Sequence, residues 1–291
     1  MNILMALSQL EVTGAEVYGV TLSNELIKRG NNVTIVSDTL TKKFDGEYIK
    51  IEFNKRGLFQ RINQVISLLK IIKEKDIQVV HAHSRASSWS CEIACKIAKI
   101  PLITTTHGRQ PVHLSRKIFK AFGRETITVC ENIKKHLINE LGVDKNKIKV
   151  LRNPIDTSYY PFVYSDLKKD NKIVSIIGRL SGPKGEVAYK VLETLENVSN
   201  ISIQVIGGKE IPEKFNKFLN KSNIKFLGYV NDIPEKIKNS DLVIGAGRVG
   251  VEAILSGKPL IAIGEAQYIG LVSPDNLIPA LESNFGDINF E

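Results

Sequence analysis

No apolar run in this chain reaches the length that spans a bilayer, so the sequence offers no membrane-spanning helix. The opening stretch, MNILMALSQLEVTGAE, lacks the basic start and the small-residue cleavage site of a signal peptide and reads as a strand entered directly. Cysteine is scarce. Three residues, an odd number without framework spacing, exclude a disulfide-stapled fold. Cys91 and Cys95 fall one helical turn apart with no matching ligand cluster, so they are expected to be reduced core residues of a cytoplasmic protein. Zinc-finger spacing and aromatic-interleaved basic motifs are absent too, and nucleic acid is not an expected partner. Nor is there a low-complexity tract or a short solenoid repeat.

What is present is an ordinary globular composition, 43% hydrophobic and 24% charged, over 291 residues, a length that suits two domains. The formal net charge of +9 is uneven. Residues 1–164 hold 25 Lys and Arg against 15 Asp and Glu, whereas residues 165–291 hold 15 against 16. A basic first half suits an acidic substrate or an anionic membrane surface.

Short apolar blocks alternate with amphipathic stretches. NILMAL, NVTIVS, YIKIEF, VVHAHS, PLITTTH, TITVC and IKVLRN read as strands in the first half, and KIVSIIG, ISIQVIG, IKFLG, DLVIG and PLIAIG in the second. Helical patterns lie between them. Gly30 is placed to stop the first, and Leu58, Ile62, Val65, Ile66, Leu69 and Ile72 predict one apolar face on the second. Such alternation predicts an α/β protein with parallel sheets covered on both faces. Two series predict two doubly wound, Rossmann-like domains, 1–164 and 165–291, with the boundary near Tyr164 and facing ligand edges that form a cleft.

Ligands bind beyond the carboxyl ends of parallel strands, so the residues after each apolar block carry the candidates. In IIGRLSGPKGE, Arg179 follows a strand after Gly178 and Lys184 opens a helix; two cations beside helix amides suit a diphosphate, and a solvated loop is the plain alternative. GAGRVGVEAILSGKP contains Gly247, Arg248, Val249 and Glu252. It fits G-x-G-x-x-G with Glu265 about twenty residues beyond Gly245, formally the dinucleotide fingerprint. The simpler reading is that the glycines admit a phosphate or sugar and that Glu252 accepts from two vicinal hydroxyls; otherwise it is a solvated helix acid. Gly14 and Glu16 in VTGAE open a helix, and His107 in TTTHG, followed by Arg109, ends a strand; each is a ligand-edge candidate or only a turn or rim residue. His81 and His83 alternate and are expected on opposite strand faces, unsuited to sharing a metal.

Taken in order, TGAE, VVHAHS, TTTHG, ITVCENIKKHLINELGV, IKVLRNPID, IIGRLSGPKG, IKFLGYVNDIPEKIKNSDLVI and VEAILSGKPLIA resemble a GT-B glycosyltransferase of family 4 over nearly the whole chain. The resemblance implies an N-terminal acceptor domain and a C-terminal domain for a nucleotide-sugar donor, with hexosyl transfer, retention and no tightly bound cofactor or metal. It implies that Arg179 and Lys184 hold and stabilise the departing diphosphate, that Glu252 binds the ribose, and that Gly14, Gly178, Gly247, Arg248 and Val249 line the donor. His107 would orient the sugar, Asn153 would lie in NPID beside the cleft, and Glu16, His83 and Arg109 would face the acceptor.

Two departures stand out. The family's E-x-x-x-x-x-x-x-E pattern places its first acid where this chain has Ile244, and the chain stops soon after the last sheet element, without the family's usual final helices. It therefore reads as a fragment, a truncated product or a minimal form. The expected activity is sugar transfer to a cell-envelope glycan or glycolipid such as lipopolysaccharide. The alternatives are a degenerate GT-B binding or partner protein, a nucleotide-sugar epimerase and, more remotely, a dehydrogenase. Basic amphipathic stretches at 58–75 and 114–125 suggest peripheral contact with an anionic membrane face, or else ordinary packing helices.

Overall fold

The computed structural model describes residues 1–8, 14–164, 170–208 and 210–289; Thr13 of the VTGAE motif lies outside them. The chain forms two compact units, Met1–Ile155 and Asp156–Glu291. The division falls before Tyr164, the boundary expected from sequence, because the intervening aromatics pack within the second unit. The Tyr160 hydroxyl donates to Glu252, and Phe162 lies against Gly257.

The first unit runs β1 (Asn2–Ala6), α1 (Gly14–Lys28), β2 (Asn32–Ser37), β3 (Glu47–Lys50), α2 (Leu58–Glu74), β4 (Val79–Ala82), α3 (Arg85–Ala98), β5 (Leu102–Thr106), α4 (Leu114–Ile118), β6 (Glu125–Thr128), α5 (Glu131–Asn139) and β7 (Ile148–Val150). Its seven strands are all parallel, in the order β3-β2-β1-β4-β5-β6-β7. β1 shows why the block NILMAL is apolar throughout. Leu4 and Ala6 enter the core with α2 and α3, while Ile3 and Met5 enter the opposite core with Val20 and Ile35. A strand buried on both faces has no polar side to alternate with. Gly30, at φ +81°, ends α1 as expected, its amide bonding back to Ile27 O and that of Asn31 to Leu26 O. Cys91, Cys95 and Cys130 are free and buried; burial pushes the Cys95 thiol up to about 12 and that of Cys130 to about 11.

α2 corrects the sequence reading. Its buried face is Gln64, Val65, Leu68, Ile71 and Ile72, while Leu58, Phe59, Ile62 and Ile66 are exposed. Polar groups anchor the start of the helix instead. Gln64 donates to Glu52 O and Lys55 O, and Arg61 to Ala86 O and Ser90 Oγ. Both bind oxygens of neighbouring segments, which turns the apolar stripe outward.

The second unit runs β8 (Lys172–Ile177), α6 (Gly182–Leu195), β9 (Ile201–Ile206), β10 (Ile224–Gly228), α7 (Ile233–Lys238), β11 (Leu242–Gly245), α8 (Arg248–Leu255), β12 (Leu260–Ile263), β13 (Tyr268–Leu271) and α9 (Leu277–Glu282), with strand order β10-β9-β8-β11-β12-β13. β13, unforeseen in the sequence, pairs antiparallel with β12 and carries Gly270 at φ +91° and exposed Tyr268 and Leu271. An edge strand with an interrupted apolar pattern gives little signal.

Residues 284–288 fold back over the start of α8. Phe285 fills the space beside Gly250, and Gly286 lies against Gly264. A methyl at Gly264 would fall 2.2 Å from the Gly286 carbonyl carbon. Gly264→Ala is therefore expected to destabilise the second unit by about 2 kcal/mol, read as a lower denaturant midpoint; an unchanged midpoint would show that this fold-back contributes nothing.

Candidate functional site

Each sheet has one switch point, where neighbouring strands connect in opposite directions and a crevice opens beyond their carboxyl ends. In the first unit it lies between β1 and β4, in the second between β8 and β11.

Beyond the first switch point lies a histidine cluster. His81 Nε2 meets Thr105 Oγ1 at 2.7 Å, His83 Nε2 meets Met5 Sδ at 2.8 Å, and His83 Nδ1 meets His107 Nε2 at 3.2 Å. The rings of His81 and His83 are 4.2 Å apart and Tyr18 packs on His83 and His107. The expectation of opposite faces fails here because β4 ends at Ala82, so strand alternation no longer governs His83. Burial lowers all three imidazoles: His107 to about 4, His81 to about 3 with added repulsion from His107, and His83 well below its usual value. The cluster is thus three neutral rings at pH 7. Among the described residues, no group of three or more His, Cys, Asp or Glu is arranged to hold a metal ion.

Gly14 is exposed with open space around it, and Arg109 is exposed after β5. Two residues expected on the acceptor side are not surface groups. Glu16 is fully buried, and its Oε1 accepts from the amides of Thr41 and Lys42, both at 2.7 Å, fastening the loop after β2. His83, 3% exposed, is packed behind His107. The VTGAE signal marked a helix start correctly but did not show which way its acid turned.

In the second unit a cleft opens at the switch point, lined by Gly178, Arg179 and Lys184 from the β8–α6 side and by Ile244, Gly245 and Ala246 from β11. Arg179 is exposed and has no hydrogen bond or ion pair with another described residue. Lys184 is paired with Asp287 Oδ2 at 2.7 Å. Asp287, which the sequence reading missed, reaches the cleft because the fold-back brings it over Gly247, where any side chain would meet its carboxylate. The close approach expected at these glycines is real, but residues 284–287 make it: the Gly247 amide donates to Asn284 O. That leaves the dinucleotide reading without its open turn.

Glu252 is no solvated helix acid. It is 4% exposed, and Oε1 accepts from the Arg248 Nε at 2.6 Å and from the Tyr160 hydroxyl at 2.7 Å. Its charge, in turn, helps burial push the Tyr160 hydroxyl up. Ile244, at the position of the missing acid, is buried in the sheet.

The Glycosyltransferase Family 4 profile matches residues 12–159. The chain belongs to glycosyltransferase family 4. This family 4 chain is 28% identical over 265 residues to the UDP-Gal:alpha-D-GlcNAc-diphosphoundecaprenol alpha-1,3-galactosyltransferase of Escherichia coli, covering 80% of this chain and 64% of that protein, so it spans under two thirds of that relative's length. In fold it is similar to a glycosyltransferase from Rickettsia africae (22% identity, TM-score 0.73, 89% of this chain and 78% of that one). It is similar too to Anabaena Alr3699/HepE in complex with UDP-glucose (22%, TM-score 0.72, 89% and 79%).

The histidine cluster makes stability depend on pH. In the unfolded chain these imidazoles take protons below about 6.5, whereas folded His81 stays neutral down to about 3. The unfolded state binds more protons in that window, so stability falls as pH drops. Between pH 7 and 5 His81 alone accounts for about 2 kcal/mol. Urea unfolding of His81→Gln is expected to show that much less acid sensitivity than the parent, and equal pH slopes would refute the assignment.

Proposed function

We propose that this family 4 chain is a retaining hexosyltransferase that moves a sugar from a UDP-activated donor to a lipid-linked glycan of the cell envelope. The observation that carries this reading is the switch-point cleft of the second unit, where Arg179 and Lys184 converge at the start of α6. A diphosphate leaving group gains negative charge as the glycosidic bond breaks, and preorganised cations stabilise that charge more than they stabilise the ground state. In this reading Gly178 lets the backbone approach the phosphates, Glu252 receives ribose hydroxyls, and Gly247, Arg248 and Val249 frame it. Tyr160 and Arg248 fix the Glu252 carboxylate in one orientation. The diphosphate shares Lys184 with Asp287 or displaces it. In the first unit Gly14 and His107 are the candidates for donor phosphate and sugar, and Arg109 for the acceptor. His107, neutral at pH 7, acts as a hydrogen-bonding group rather than a cation. The two protein cations do the electrostatic work that a divalent metal does in other transferases. The likeness to an enzyme whose name specifies UDP-Gal and a diphosphoundecaprenol-linked GlcNAc supports both substrate classes.

A peripheral seat on an anionic bilayer suits such an acceptor and completes the proposal. Phe59 and Ile118 are 78% and 77% exposed, with Leu58, Ile62, Ile66 and Leu114 also outward. α2, α3 and the end of α4 share this side, since Arg61 lies over the Trp89 ring and Trp89 packs on Phe119. Lys55, Arg56, Lys70 and Lys117 stand exposed beside these apolar groups, a mixture suited to the headgroup boundary. No described helix is long and apolar enough to cross a membrane.

UDP release should be followed with UDP-galactose, UDP-glucose or UDP-N-acetylglucosamine and a GlcNAc-diphosphate lipid. Arg179→Ala and Lys184→Ala are each expected to lower kcat/KM by about 100-fold or more, with turnover unaffected by EDTA; a folded parent that turns over none of these donors overturns the reading. In flotation with phosphatidylglycerol vesicles, the parent is expected to float and Phe59→Ser/Ile118→Ser to remain behind. A parent that stays in solution removes the membrane seat.

A further inference from the structure

Arg116 has no counterpart in the roles above, and its surroundings are unusual. It is 2% exposed, yet its Nε and Nη1 have no hydrogen-bond partner and it makes no ion pair among the described residues. Its face lies 4.1 Å over the Phe122 ring, and the charged group that acts on it is another cation, Arg85. Burial and Arg85 pull its pKa down only to about 10, so it is fully charged at neutral pH. A buried charge without a counter-charge is costly, as are two buried donors without acceptors, and a ring face offsets only part of that cost.

Arg116 borders a small cavity that also takes in Ser84, Arg85, Ser88, Thr105 and Gln110. The rim is hydroxyl-rich and basic, and no acid lines it. The cavity lies at the N-terminus of the 14-residue helix α3, whose positive end adds to the field of the two arginines. Gln110 Oε1 is a third buried atom without a partner. A half-turn of that carboxamide exchanges its oxygen for an N–H₂, a choice set by whatever the cavity holds.

We propose that this cavity is an oxyanion site of the first unit that takes a phosphate of the lipid-linked acceptor. Arg116 supplies the buried cation of the site, and Arg85 and the start of α3 balance the remaining charge. The proposal rests on the reading of this unit as the acceptor side. Two placements support the occupant. Leu114 and Ile118, which flank Arg116 on α4, are exposed, so one short helix offers apolar groups outward and a cation inward, as a lipid with a phosphate headgroup requires. Thr105 lines the cavity and also bonds His81, so the phosphate would lie one strand residue from the cluster that ends in His107.

The test is a thermal-shift and calorimetric titration of the whole chain with sodium pyrophosphate and with geranyl diphosphate, at constant ionic strength. The parent, Arg116→Met, Arg179→Ala and Arg116→Met/Arg179→Ala are compared. Pyrophosphate is expected to raise the Tm of the parent and of Arg179→Ala by linkage. Arg116→Met/Arg179→Ala should lose the shift that Arg179→Ala keeps, its Kd weakening about tenfold or more. Without ligand, Arg116→Met should melt no lower than the parent, because an apolar chain of similar length replaces an uncompensated charge. A lower melting point in the absence of ligand would make Arg116 structural and overturn the proposal, as would a shift that survives in Arg116→Met but vanishes in Arg179→Ala. Geranyl diphosphate is expected to bind at least tenfold more tightly than pyrophosphate. Equal affinities would assign the cavity to a free phosphate and overturn its assignment to the acceptor. Because these probes contain no nucleotide or sugar, a failure of the donor reading would leave this result standing, and the two remain distinguishable.

Discussion

Two strand pairings set up both candidate sites of this molecule, β1 with β4 in the first unit and β8 with β11 in the second. In each pair the strands run parallel and in register, Ala6 beside Ala82 and Ile177 beside Gly245, so both chains end at the same edge. The connections then leave in opposite directions, because strand order reverses there. Backbone that diverges cannot close over itself, and a crevice remains. The histidine cluster follows from the first crevice, and the cleft with Arg179 and Lys184 from the second.

Around these crevices the protein handles charge in three different ways. In the first unit burial keeps three imidazoles neutral, so polar rings pack against Met5 and Tyr18 without a counter-ion. In the second unit charges are kept and matched: Glu252 with Arg248, Lys184 with Asp287. Each pair is largely shielded from water, where breaking one partner costs far more than the pair contributes. Arg116 follows neither course. It keeps its charge and has no matching anion among the described residues, which distinguishes it from an ordinary packing arginine.

Much of this was legible in the residues. All twelve blocks read as strands contain strands, because parallel sheets demand continuous apolar runs and the helices between them carry a different period. That Arg179 and Lys184 border one cleft follows from their place just after a strand and at a helix start. Three features were hidden. β13 is a short edge strand with a glycine inside it. The face of α2 was misjudged because Arg61 and Gln64 seek backbone oxygens that no periodicity reveals. Asp287 lies over a hundred positions from Lys184, and nothing local links the two.

The sequence by itself determined the two α/β units, their parallel strands and the strand ends at which chemistry-bearing residues gather, since all of these follow from patterns a few residues long. Only the tertiary structure decided what each polar group does there. It turned Glu16 inward to the loop amides, folded residues 284–288 onto the glycines of α8, and left the Arg116 guanidinium facing a cavity. The physical reason is that burial and pairing depend on which distant segments meet, and a residue's charge, reach and neighbours are settled by that meeting rather than by its place in the chain.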